Sequence, residues 1–276
     1  MDELSASLSM LTNGDLMGYF MKGVAFTLVI AVIAIIVSFV FGIMLALARN
    51  FCNSGLSRVL KGFSIAYIEI FRNTPLMLWL FISLVSFPAP GVSLSFADAI
   101  GLSTTEVKIL FKAIMALILF TSSVMAEIIR GGLNSVSSGQ FEAGYAQGFT
   151  FPQVLSCIVL PQAFRAIVPT MLSQVITTIK DTSYVANIAY IEFLGRVFRM
   201  IQLAPAYTGQ GTQNISDIFV LCGMACVIYF IINFSISCVV RSIQKKQKSS
   251  PSGGGAAGQQ GLPGGIDRSE EHTSEL

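Results

Sequence analysis

Residues 23–48 read GVAFTLVIAVIAIIVSFVFGIMLALA, 26 positions without a charged side chain, closed by Arg49. A helix rises about 1.5 Å per residue and the hydrocarbon core of a bilayer is about 30 Å thick, so this run can cross with some tilt. Working outward, Ile218–Val240 is a second clean run of 23 residues, closed by Arg241, Lys245, Lys246 and Lys248. Three interrupted runs of spanning length lie between. Phe63–Phe87 contains Glu69, Arg72 and Pro75; Ile109–Leu133 contains Lys112, Glu127 and Arg130; Ala166–Tyr190 contains Pro169, Lys180 and Asp181. A charge at mid-membrane costs about 2.5–3.5 kcal/mol and is tolerated towards a bundle interior, water or the end of a span. The expectation is an all-α integral membrane protein with about five transmembrane helices.

Composition agrees. Of 276 residues, 53% are hydrophobic and 12% charged, against about 25% charged in soluble domains. A soluble globule and a disordered chain are both excluded. The transmembrane unit is expected over residues 15–248. Residues 249–266 read SSPSGGGAAGQQGLPGGI, a composition that cannot bury enough apolar surface to order itself. The closing RSEEHTSEL resembles the translation of a sequencing-adapter oligonucleotide, so residues 249–276 are read as a disordered tail and a sequencing or assembly artefact, with a genuine flexible tail as the alternative. Without that tail, 16 basic residues face 11 acidic ones, a modest excess that suits a membrane face and not a nucleic-acid groove.

Basic residues set the expected orientation. Lys22 precedes the first span together with Asp2, Glu3 and Asp15; Arg49, Arg58 and Lys61 come after it. Residues 88–107 carry only Asp98 and Glu106, whereas four basic residues close the fifth span. The N-terminus is therefore expected outside and the C-terminus in the cytoplasm. No positive n-region with a cleavage site opens the chain, so no removable signal peptide is expected. The five cysteines form no CxxC pair and read as small apolar packing residues. The one histidine, His272, lies in the tail, so no metal site is expected. No internal repeat of the kind found in many secondary transporters is visible.

Residues 131–165, GGLNSVSSGQFEAGYAQGFTFPQVLSCIVLPQAFR, are expected mostly in the cytoplasm. Ser137, Ser138 and Gly139 suit a helix start, and Glu142 suits its positive end. Gly148 can end that helix in the left-handed conformation. Pro152 fits the first turn of a second helix, which Pro161 would stop or kink. A short helix with small residues suits docking to another protein and equally suits an ordinary connector.

Glu142–Ala143–Gly144, then Gly148, then Ile158–Val159–Leu160–Pro161 resemble the EAA loop of ABC-importer permeases in every spacing. Gly144 stands where that pattern has a second alanine. A helical glycine costs about 1 kcal/mol relative to alanine, so a looser helix is expected. Leu160–Pro161–Gln162–Ala163–Phe164–Arg165 with Pro169, and Lys180–Asp181–Thr182–Ser183, resemble the permeases of polar amino acids, histidine/glutamine-type; Ser173 replaces that family's asparagine. Phe71–Arg72–Asn73–Thr74–Pro75–Leu76 and Glu127–Ile128–Ile129–Arg130–Gly131–Gly132 resemble two further family stretches, with Asn73 in place of glycine. The resemblance spans about residues 15–245. It implies the type I importer permease fold in a bacterial cytoplasmic membrane, and import of a polar amino acid. It also implies a second permease subunit (a copy or a paralogue), two ATP-hydrolysing subunits and an extracytoplasmic binding protein. The chain lacks G-x-x-x-x-G-K-[ST], so ATP and magnesium are expected on the partner and no catalytic residue or cofactor here.

Among the polar candidates, Glu142, Ala143, Gly144, Gly148, Ile158, Leu160 and Pro161 are assigned to ATPase coupling. Glu69, Arg72, Glu127, Arg130, Ser173, Lys180, Asp181, Thr182 and Ser183 either border a translocation path or form structural polar pairs. Glu69 with Arg72, and Glu127 with Arg130, have pairing spacing on one helix face. Trp79, Phe81 and Phe87 read as an interfacial aromatic belt. Pro205, Gly209 and Gly211 read as a loop facing the binding protein. A stand-alone channel or secondary transporter, with intramembrane charges as its coupling site, is the rival reading; a membrane assembly factor is a third.

Overall fold

A computed structural model describes residues 2–52, 55, 57–209 and 212–249. Gly211 and the tail from residue 250 onward lie outside the described residues. The helices are α1 Asp2–Thr12, α2 Gly14–Phe51, α3 Ser57–Arg72, α4 Leu76–Ser86, α5 Leu94–Ile100, α6 Thr104–Ser135, α7 Ser138–Ala146, α8 Phe151–Gln153, α9 Leu160–Asp181, α10 Phe193–Thr208 and α11 Ile215–Ser249. No strand occurs among the described residues. Four helical stretches are long and apolar enough to span: α2, α6, the continuous stretch 151–187, and α11.

The run 63–87 is not one straight span. Its halves, α3 and α4, bend by 110°. Pro75, at the start of α4, has no N–H to donate and biases Thr74 away from helical angles. Side chains fold back onto the end of α3: Asn73 Nδ2 donates to Glu69 O at 2.8 Å and Thr74 Oγ1 to Ile70 O at 2.7 Å. Trp79 is part of this bend. Its ring stacks on Phe71 with centroids 4.1 Å apart, and its Nε1 donates to Thr74 Oγ1 at 2.6 Å.

The α2–α6 contact is the spine of the bundle. On α2 the buried residues Thr27, Ala31, Ala34, Ser38, Gly42 and Ala46 recur every three or four positions, a small-residue seam that lets backbones approach. A Cβ at Gly42 would sit 2.9 Å from Met125 Cβ and 3.1 Å from Ala126 N. Ser38 Oγ crosses the seam to donate to Ile118 O at 3.0 Å. Helix starts are chemically marked: Asn13 caps α2, and Ser103 with Glu106 forms a capping box on α6.

Two segments depart from the expected layout. Pro161 does not stop its helix, because a π-helical segment, Val154–Val159, runs between α8 and α9. Leu160 N–H bonds to Leu155 O, and the wider turn accommodates the proline ring after it. Pro205 lies inside α10 and not in a loop; Gly209, at φ 71°, ends that helix.

Candidate coupling and translocation sites

The EAA-like segment forms the short helix α7, with Ser137 in the capping position. Its end is a Schellman motif: Phe149 N–H bonds to Gly144 O at 3.1 Å, Gly148 N–H bonds to Tyr145 O at 2.9 Å, and Gly148 has φ 83°. Glu142 and Ala143 are exposed, whereas Gly144 is buried. A Cβ on Gly144 would meet Val154 Cγ2 at 2.7 Å and Ile158 Cδ1 at 3.1 Å. The glycine therefore does not loosen α7, contrary to the sequence expectation. It seats the helix closely against the π segment, and Val154 occupies the space an alanine methyl would need. Val159, Leu160 and Ile158 continue that platform, and Pro161 is exposed. Phe141 and Phe151 bracket Phe51 with centroids 6.4 and 5.2 Å away, so α7 sits at the C-terminal end of α2.

In the last turn of α2, charges from three helices meet. Glu127 Oε2 accepts from Arg49 Nη1 at 3.1 Å, its Oε1 accepts from Arg130 Nε at 3.0 Å, and Arg72 Nη1 lies 3.8 Å from the same oxygen. The expected Glu127–Arg130 pair is present. Glu69 pairs with Arg49 at 3.3 Å and not with Arg72, because Arg72 reaches across to α6. The network ties α2, α3 and α6 together at one level. A Glu69→Arg, Arg72→Glu double exchange should therefore fail to rescue either single change, since it restores neither contact. A Glu69→Arg, Arg49→Glu exchange breaks the Arg49–Glu127 contact and should rescue in part; uptake assays on the two double variants check this. Full rescue by the first would show that the pairing here is wrong.

Lys180 and Ser183 line one cavity of about 610 Å³ with Leu194, Cys222, Tyr229 and Asn233, between the end of α9, α10 and α11. Ser173, Thr177, Lys180 and Tyr184 are all exposed and recur at steps of four, three and four, which places them on one face. A polar face left open on a helix of spanning length is suited to water, substrate or a second subunit. Asp181 is half-buried, and neither it nor Thr182 lines this cavity; Thr182 is fully buried and donates to Ile179 O at 2.8 Å. Glu69, Arg72, Glu127 and Arg130 belong to the network beside α7 and not to this cavity.

Glu192, absent from the sequence candidates, is fully buried at the start of α10. Its carboxylate accepts from Gly195 N at 2.6 Å, Leu194 N at 2.8 Å, Thr27 Oγ1 at 3.3 Å and Tyr229 Oη at 3.3 Å. Burial pushes its pKa up, to about 7, while those donors pull it down. Tyr229 also lines the Lys180 cavity, so Glu192 braces that cavity's wall against α2. Glu is not among the common capping residues, so local sequence gives no capping signal for it; its burial comes from packing against α2 and α11.

Residues 38–249 match the family model described as "binding-protein-dependent transport system inner membrane component". Similar chains include the glutamate/aspartate import permease protein GltK of Escherichia coli O6:H1, 32% identical over 83% of this chain and 93% of that one. Another is the L-cystine transport system permease protein TcyB of Bacillus subtilis, 34% identical over 76% and 80%. A crystal structure of an amino acid ABC transporter superposes with a TM-score of 0.64 at 21% identity, covering 87% of this chain and 97% of that chain, which supports the fold. The chain thus belongs to the binding-protein-dependent transport system inner membrane components, among the permeases of amino-acid ABC transporters.

Proposed function

We propose that this chain provides half of a translocation path for a polar amino acid, moved by ATP hydrolysed on separate subunits. The observation that carries this is α7: an exposed Glu142–Ala143 face held rigidly by the buried Gly144 and the left-handed Gly148. A rigid, exposed helix at one end of a bundle is a mechanical contact for a partner, and the ATP-hydrolysing pair is the partner of the EAA pattern. The second permease subunit, a copy or a paralogue, faces the polar stripe of Ser173, Lys180 and Ser183. An extracytoplasmic binding protein delivers substrate at the opposite end. The chain itself catalyses no reaction and holds no cofactor; ATP and magnesium sit on the partner. The N-terminus lies outside and the C-terminus inside.

The test is purification of the permease from its host membrane. An ATPase with a phosphate-binding loop should accompany it, and hydrolysis should rise when amino-acid-loaded binding protein is added. Uptake that persists without any ATPase subunit would establish the secondary-transporter reading instead. Topology is checked separately: reporters fused after Phe51 and Val136 should read cytoplasmic, and one after Gly91 external. A cytoplasmic signal at Gly91 would overturn the orientation.

A further inference from the structure

At the end of the bundle opposite α7, a cavity of about 1030 Å³ lies between the N-terminal half of α2, the last turn of α5 and the first turns of α6 and α10. Arg196 lines it and is 6% exposed. Its Nε donates to Ile191 O at 2.9 Å and its Nη1 to Tyr19 O at 3.2 Å. The guanidinium lies over the rings of Tyr19 and Phe26, 4.5 and 5.6 Å from their centroids. Among the described residues no carboxylate lies within 4 Å of it. A buried cation without a counter-ion is costly unless an anion completes the site. Lys22 and Arg199 line the same cavity, and so do Asp98 and Glu106. The site therefore offers both signs of charge to one occupant.

Two observations identify that occupant. Arg196 and Arg199 lie on the other side of α10 from Leu194, which lines the Lys180 cavity, so this space is not a continuation of the proposed path. Along α2 the lining passes from Lys22 through Phe26 to Val29, and beyond it Val29, Val32 and Ile36 are 53%, 52% and 57% exposed. The cavity thus stands where a polar helix end gives way to an open apolar face, the level of a membrane interface.

We propose that this cavity holds the headgroup of a zwitterionic phospholipid of the phosphatidylethanolamine type. The phosphate meets Arg196, Arg199 and Lys22, the ammonium meets Asp98 and Glu106, and the acyl chains lie along Val29, Val32 and Ile36. That the lipid belongs to the outer leaflet rests on the orientation proposed above; the site itself does not.

The experiment is native mass spectrometry of the full chain, purified in mild detergent from nanodiscs containing equal phosphatidylethanolamine and phosphatidylglycerol. The wild-type chain should retain phosphatidylethanolamine in preference. Lys22→Ala with Arg199→Ala, both exposed positions that folding does not depend on, should lower retention about thirtyfold. Lys108→Ala, a cation at the same end outside the cavity, should leave retention unchanged. Asp98→Asn with Glu106→Gln should shift preference towards phosphatidylglycerol; the glutamine preserves an acceptor for the α6 cap. Retention indifferent to the cation pair, equal retention of both lipids by the wild type, or displacement of lipid by millimolar free glutamine would each overturn the proposal. The reading involves no ATPase, so its failure leaves the transport proposal standing.

Discussion

Glu142→Lys is expected to reduce uptake about tenfold or more while the permease remains in the membrane at normal amounts. The side chain is exposed, so the fold does not need it. A docking contact does, because reversing a charge at a complementary interface costs several kcal/mol. Gly148→Val should give a comparable loss by another route. At φ 83° a β-branched residue is strained, and the Schellman motif that ends α7 would open. The diagnostic measurement is uptake alongside the amount of ATPase that copurifies. Normal uptake in both variants would remove α7 from the coupling mechanism.

Glu192→Ala should produce the largest loss of stability. It removes the cap of α10 and leaves four donors, from Leu194, Gly195, Thr27 and Tyr229, without their acceptor. Losing the cap made with Leu194 and Gly195 costs about 1 kcal/mol and each of the two orphaned hydroxyls, Thr27 and Tyr229, about 1–3 kcal/mol, so about 3–5 kcal/mol is expected after partial relaxation. In detergent this should lower the midpoint of thermal unfolding by about 10 °C. Glu192→Gln keeps one acceptor oxygen and should lose less. A shift below about 2 °C for alanine would show that Glu192 does not hold α2, α10 and α11 together.

Hydrophobic run length makes α2 and α11 legible, because a membrane demands about 20 apolar residues and both runs supply them without a charge; α6 and the stretch 151–187 read less sharply, since Glu127, Arg130, Lys180 and Asp181 interrupt their runs. The bend at Asn73–Thr74–Pro75 is not legible in the same way, even with Pro75 in view. Run length counts apolar residues and is blind to direction. Helix α10 escapes for the opposite reason. With Arg196, Arg199 and Pro205 it is neither apolar enough to span nor polar enough to be a loop, and its burial depends on α2 and α11. Glycine and proline placement read correctly where local stereochemistry decides, at Gly148 and Pro152. It misleads at Gly144, where propensity predicts looseness and tertiary contact with Val154 decides instead. The Glu69–Arg72 pair fails likewise: spacing along one helix cannot reveal a stronger partner on another.

The π segment at 154–159 sets an angle. Its hydrogen bonds close over one residue more than those of an α-helix, and that inserted residue shifts the rotational phase by about 100° between the residues before the segment and those after it. Val154, which seats Gly144, and Ala163 and Ile167, which face the bundle, are consequently buried in one cluster although their spacing does not fit a single α-helical stripe. The surface on which Gly144 rests is thus set by a surplus residue, and a deletion within 154–159 would rotate Val154 relative to Ala163 and Ile167 and carry the seat of α7 away from the bundle.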